Sequence, residues 1–108
     1  MQVQVHYQGV DNSRWLNEFL TRKVSKLDRF LSQTSPVHVY LKHDGPLYQT
    51  TIEAHGFNRD FAFESNGENL YESFSAAIDK AVRTLSEEKR RLRDKINSRF
   101  FSLKKYAI

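Results

Sequence analysis

The 108 residues contain no cysteine, which excludes a disulfide framework and any thiolate metal site. There are only two prolines and four glycines. The glycines (Gly9, Gly45, Gly56 and Gly67) stand apart, and each reads as a turn. A glycine-rich phosphate loop is therefore excluded, as is a nucleophile elbow of the Gly-x-Ser-x-Gly type. No apolar run approaches the length of a membrane span. The opening "MQVQVHYQGVDN" lacks the basic stretch and apolar run of a secretory signal, so a soluble, cytoplasmic protein is expected. No internal repeat, low-complexity tract or linker interrupts the chain.

What remains is globular. Hydrophobic residues make up 39% and charged residues 28%, above the range of disordered chains. The length suits one domain with one core. Eight Phe, five Tyr and one Trp can supply much of that core, because each ring buries a large area.

Hydrophobic periodicity sets the expected elements. "QVQVHY" alternates with period two, placing Val3, Val5 and Tyr7 on one side of a strand. "GVDNS" breaks it, and Asn12 or Ser13 is suited to cap a helix. From Ser13 to about Ser32, Leu16, Leu20, Val24, Leu27 and Leu31 recur at spacings of four, four, three and four, with Phe19 and Phe30 widening the stripe. That spacing predicts an amphipathic helix. "VHVYLKH" alternates again through Val37, Val39 and Leu41, and "DGP" is a turn signal. Two β-rich runs divided near Gly56 follow: Tyr48, Thr50, Ile52 and Ala54 share a face, as do Phe57, Phe61 and Phe63. A longer helix is predicted from about Leu70 to about Ile96, with an apolar stripe of Phe74, Ile78, Val82, Leu85, Leu92 and Ile96 beside Ala77 and Ala81. The order is β-α-β-β-β-α. The expected architecture is α+β, a four-stranded sheet with two helices packed on one face. Residues 1–96 form the domain, and 97–108 a basic, aromatic tail.

Catalytic and metal-binding patterns are scarce. His6, His38, His43 and His55 lie on or beside predicted strands, and none has metal-ligand spacing. The dipeptide His43-Asp44 occurs in some metal hydrolases but carries almost no signal alone. Glu68 and Glu72 are placed where a helix dipole favours acids. No enzyme, cofactor, metal or small-molecule substrate is expected.

The charge is uneven. Residues 1–78 hold seven Lys/Arg against nine Asp/Glu, a net of −2, while 79–108 hold ten against four, a net of +6. The first helix brings Arg22, Lys23, Lys26 and Arg29, and Lys23 must extend its stem over packed apolar side chains to reach water. The second brings Lys80, Arg83, Lys89, Arg90, Arg91, Arg93 and Lys95. If the helices lie side by side, their outer faces form one basic groove able to meet phosphate oxygens, with Arg supplying bidentate forks. The bland reading of the same residues is a solvated helix face with salt bridges through Glu87 and Glu88.

Order and motifs together resemble the ribosome hibernation promoting factor and ribosome-associated inhibitor family, also known as sigma-54 modulation proteins, over residues 2–95. "LTRKVSKLDRFL" is similar to the family's first helix at Lys23, Lys26, Leu27, Asp28, Arg29 and Phe30. "TTIEA" resembles its hydrophobic–Glu strand. "NLYESFSAAIDKAVRTL" resembles its second helix at Leu70, Tyr71, Lys80, Arg83 and Leu85, and the match continues to Lys89 and Arg91. The chain departs from the pattern at Asn69, where an acid is usual, and at Ala77–Asp79, which sits one turn late. It departs again at Glu87 and Glu88, which interrupt the basic stripe.

The resemblance implies a double-stranded-RNA-binding-domain-like fold that binds the small ribosomal subunit and its 16S-type rRNA in the mRNA/tRNA channel. Translation would be inhibited there by occlusion. It implies rRNA contacts from Lys23, Lys26, Arg29, Lys80, Arg83, Lys89, Arg90 and Arg91. Recognition would be by shape and backbone, with no membrane partner. Long family members add a domain that pairs ribosomes, and this chain is too short to hold one. Its tail, "NSRFFSLKKYAI", is unlike the acidic kind that blocks pairing. It would either stack Phe100, Phe101 or Tyr106 on RNA or pack Phe100 and Leu103 on the sheet. The alternative function is a protein-binding regulator that turns the same basic helices to an acidic partner. Neither the oligomeric state nor any effect on ribosome pairing is legible in the sequence.

Overall fold

The computed structural model describes the backbone of residues 1–106 and the side chains of residues 1–98. Its elements are β1 (Val3–Gln8), α1 (Arg14–Val24), a 3-10 helical stretch (Ser25–Phe30), β2 (Val37–Asp44), β3 (Leu47–Gly56), β4 (Arg59–Gly67) and α2 (Leu70–Tyr106). The strands form one sheet in the order β1-β2-β3-β4. β1 pairs parallel to β2, with Val3 opposite Val37, as a helical crossover demands. The other pairs are antiparallel, with Val39 opposite Ile52 and Ile52 opposite Phe63.

Strand alternation decides which face is covered. Val37, Val39, Leu41, Thr50, Ile52, Ala54, Phe61 and Phe63 are buried beneath the helices, and Val3, Val5 and Tyr7 pack against the same core. Leu20, Val24, Leu27 and Phe30 come down from one side, and Phe74, Ala77, Ile78, Ala81 and Leu85 from α2. Each large side chain removed from water contributes about 1.5–3 kcal/mol. A buried polar pair ties α2 to the sheet: the Thr50 and Ser73 hydroxyls lie 2.8 Å apart, and Ser73 also donates to the Leu70 carbonyl at 3.1 Å.

The first helix is not continuous to Ser32. The α-helix stops at Val24 and tightens into the 3-10 stretch. Here the Ser25 hydroxyl bonds back to the Arg22 carbonyl, a local competitor to helical bonding. Val24, Leu27 and Phe30 lie three apart, the spacing that eclipses side chains in a 3-10 helix, so all three stay buried. At the other end Ser13 is the cap, its hydroxyl accepting from the Leu16 amide at 3.0 Å.

Two turn expectations also change. Phe57 does not share a strand face with Phe61 and Phe63. It sits with Asn58 in the two-residue β3–β4 turn, at φ 53° and 61° respectively. Both central residues of such a hairpin turn have positive φ, a strain on a bulky ring that its packing against the core offsets. Gly56 and Gly67 end strands, and what they supply is closeness: a Cβ on Gly56 would stand 2.5 Å from the Phe30 carbonyl oxygen, and one on Gly67 2.6 Å from the Ser73 amide nitrogen.

α2 runs on to Tyr106 without a break at Ile96. Leu85 is its last fully buried residue among those described, and Ile96 is 65% exposed. The apolar stripe continues in sequence after the sheet beneath it has ended. The expected packing or stacking of Phe100, Phe101, Leu103 and Tyr106 lies outside the described side chains.

Candidate nucleic-acid interface

The start of α2 fixes the register of its cations. Asn69 caps it, its side-chain oxygen accepting from the Glu72 amide at 2.8 Å, while the Glu72 carboxylate reaches back to the Glu68 amide at 3.3 Å. Asn and Asp are equivalent caps, so the departure at Asn69 leaves the helix start intact.

Between the two helical segments lies a cleft of about 250 Å³ lined by Lys23, Lys26, Tyr71, Phe74, Ser75, Ile78 and Asp79. Lys23 is half-buried; its Nζ sits 5.6 Å from the Phe19 ring centroid, in cation–π range. Further along, Phe30 is flanked by the Arg29 guanidinium at 4.5 Å and by Lys89 Nζ of α2 at 5.8 Å. Lys23 and Lys26 therefore line the cleft between the helices, while Arg29 and Lys89 meet over Phe30.

The other four predicted residues lie elsewhere on α2. Lys80 Nζ donates to the Glu64 carbonyl of β4 at 2.8 Å, which puts it on the flank away from α1. Arg91, eleven residues on, returns to that flank at 100° per residue, and Arg83 and Arg90 fall on the outer crest. The predicted cations thus lie both beside the first helical segment and on the outer and β4-facing sides of α2.

The two glutamates of the interruption also separate. Glu88 turns toward the hairpin, its side chain 14% exposed, and its carboxylate is 3.4 Å from Arg59 and 3.7 Å from Arg91. Glu87 is exposed and, by spacing, lies among the outer cations.

The histidines serve the sheet surface. His6 and His38 share a 3.0 Å ring-nitrogen contact, His55 pairs with Asp60 at 2.8 Å, and His43 stacks on Tyr48 at 4.1 Å. His43 and Asp44 are successive strand residues, so their side chains point to opposite faces. No group of three or more His, Asp or Glu among the described residues could hold a metal ion, and no described helix is long and apolar enough to cross a membrane. Tyr40, beside Glu53, has its phenol pKa raised, first by desolvation and then by the Glu53 charge and hydrogen bond.

Sequence reasoning missed an aromatic cluster at the mouth of the cleft. Trp15 stacks on Phe19, with centroids 5.6 Å apart and planes 12° apart, and Phe19 in turn touches Tyr71 at 6.0 Å and Phe74 at 6.4 Å. Trp15 is 71% and Tyr71 63% exposed. A tryptophan placed just off the Leu16–Leu20–Val24 stripe was the available signal.

The profile of the family described as sigma 54 modulation protein / S30EA ribosomal protein matches residues 3–93. The chain belongs to that family. It is 26% identical over 93 residues to a ribosome hibernation promoting factor of Escherichia coli K12, covering 86% of this chain and 98% of that one. Its fold is similar to a ribosomal subunit interface protein from Coxiella burnetii (TM-score 0.71, 18% identity, covering 83% of this chain and 99% of that one). It is similar also to the N-terminal domain of Protein Y from Thermus thermophilus (TM-score 0.71, 16% identity, covering 81% and 98%). The α+β architecture of a four-stranded mixed sheet with two helices is thus the fold of ribosomal subunit interface proteins.

Proposed function

We propose that this protein is a cytoplasmic ribosome hibernation factor that binds the small ribosomal subunit and occludes the mRNA/tRNA channel. The observation that carries this reading is membership of a family whose curated relatives, named ribosome hibernation promoting factors, are matched over 98% of their length. The surface chemistry agrees with it. Lys23 and Lys26 line the cleft, Arg29 and Lys89 flank Phe30, and Lys80, Arg83, Arg90 and Arg91 extend the positive surface around α2. Such a distribution suits a target walled by phosphates on more than one side, recognised by backbone and shape. The mechanism is competition for a site; no bond is made or broken.

Pelleting purified protein with ribosomes and with separated subunits, at low and high salt, tests the proposal. Wild-type protein is expected to pellet with the small subunit at low salt and to be released at high salt. With about six phosphates contacted, the log–log slope should be about −4 to −5. Lys26→Glu with Arg83→Glu should stay in the supernatant. Wild-type protein left in the supernatant at low salt would overturn the reading. Nuclease-resistant recovery with an acidic protein would favour the protein-binding alternative.

A further inference from the structure

We infer that the shelf formed by Trp15, Phe19 and Tyr71 is a stacking site for an unpaired base of the RNA whose phosphates Lys23 and Lys26 hold. The inference deepens the RNA-binding reading and rests on it. Phe74 is buried in the core, Phe19 is half-buried against it, and Trp15 lies flat on Phe19. One face of the indole is thus backed by a rigid ring, while at 71% exposure the other meets solvent. Large aromatics held open at the surface of a small protein mark an interaction site.

The occupant follows from charge and spacing. Trp15, Phe19, Lys23 and Lys26 fall on one flank of the first helical segment, the flank that faces α2. Eight residues at 1.5 Å each put Lys23 about 12 Å from Trp15, a distance a short run of nucleotides spans. The nearby Glu18 carboxylate is matched by Arg14 at 3.2 Å, and in the cleft the two ammonium groups of Lys23 and Lys26 outnumber the single acid, Asp79. An aromatic face continuous with ammonium groups is the arrangement by which single-stranded nucleic acid is held, bases on rings and backbone on cations.

Trp15 is the only tryptophan, so its emission reports on the shelf alone. The test titrates the full chain with oligoadenylate and with an abasic ribose–phosphate chain of the same length. Oligoadenylate should quench Trp15; the abasic chain should bind through charge without quenching. Trp15→Ala should weaken oligoadenylate binding roughly tenfold and leave abasic-chain binding and the salt slope unchanged. Trp15→Phe should keep most of the affinity, and Lys23→Glu with Lys26→Glu should lose both chains. An unchanged affinity of Trp15→Ala for oligoadenylate would overturn the inference. So would equal quenching by both chains, or an emission change that follows protein concentration alone, which would assign the shelf to a second copy. Pelleting with small subunits separates the two levels. If wild type and Trp15→Ala pellet alike while oligoadenylate leaves Trp15 unquenched, only the shelf falls. If wild-type protein binds neither RNA nor subunits, the RNA-binding reading falls with it.

Discussion

Replacing Glu88 with Gln should lower stability and raise RNA affinity at once. The Glu88 carboxylate is nearly enclosed and faces Arg59 at 3.4 Å and Arg91 at 3.7 Å, whose side chains are 55% and 74% exposed. With so much solvent at the cationic ends, each pair contributes about 0.2–1 kcal/mol. Losing both therefore costs about 1 kcal/mol, a fall in Tm of roughly 4–8 °C for a domain of this size. Arg59 keeps its place over the Phe61 ring at 4.8 Å, so the released cation is Arg91. Freed to meet phosphate, it should make the salt slope of RNA binding more negative by about one unit. Low-salt affinity should rise severalfold. Thermal melting followed by circular dichroism reads the first effect, and salt-series titration with RNA reads the second. An unchanged Tm would show that the ion pairs hold nothing. A lowered Tm with an unchanged slope would show that Arg91 does not reach the RNA, and the β4 flank of α2 would leave the proposed surface.

Tyr7→Phe removes a hydroxyl that is shielded from solvent and has no hydrogen-bond partner among the described residues, so Tm at neutral pH should rise, by up to about 1 kcal/mol of stability. Burial holds the Tyr7 pKa above its ordinary value of 10.0. The tyrosine adds no pH dependence below pH 10 and lowers stability as pH climbs further, because the unfolded chain ionises first; the variant should show a shallower alkaline loss in melts above pH 10. Ile96→Ser should change stability by less than about 0.5 kcal/mol, while Leu85→Ala should cost about 2–5 kcal/mol in denaturant titration; equal effects would place Ile96 in the core. Gly56→Ala drives a methyl against the Phe30 carbonyl and should cost about 1–3 kcal/mol; a neutral result would mean the loop after the 3-10 stretch yields freely.

The strands were legible because alternation is a strict code. Val37, Val39, Leu41, Ile52 and Phe63 each occupy the face their parity assigned. The break at Ser25 was not, since spacings of three and four suit an α-helix and a 3-10 turn alike. Gly56 and Gly67 read as turns because a sequence cannot show what backbone approaches from a distant element. Ile96 kept the period of a core residue after the core had ended. For the site, residue types were readable and directions were not. Lys80 and Lys89 both count as cations of one helix, yet one bonds to β4 and the other stands over Phe30. Trp15 escaped because a stripe argument discards what lies beside the stripe.

The far half of α2 carries a conflict that bears on how it works. Helices are mostly stabilised by the apolar face they bury, and beyond Leu85 only Ser86, Glu88 and Leu92 among the described residues are even half-buried. Strong helix formers and the Glu88–Arg91 contact offset part of that loss. Against them, five cations between Lys89 and Lys95 surround the single acid Asp94 and repel one another along the helix. Screening that repulsion should strengthen the free helix, while the same salt competes for the phosphates it would bind. Helicity of the unbound protein should therefore rise slightly with salt over the range in which RNA affinity falls. Circular dichroism and binding titrations on one salt series read the two trends together. A helicity that falls in step with affinity would mean that attraction to Glu87, Glu88 and Asp94 outweighs the repulsion, and that the basic stretch is held by its own acids before any RNA arrives.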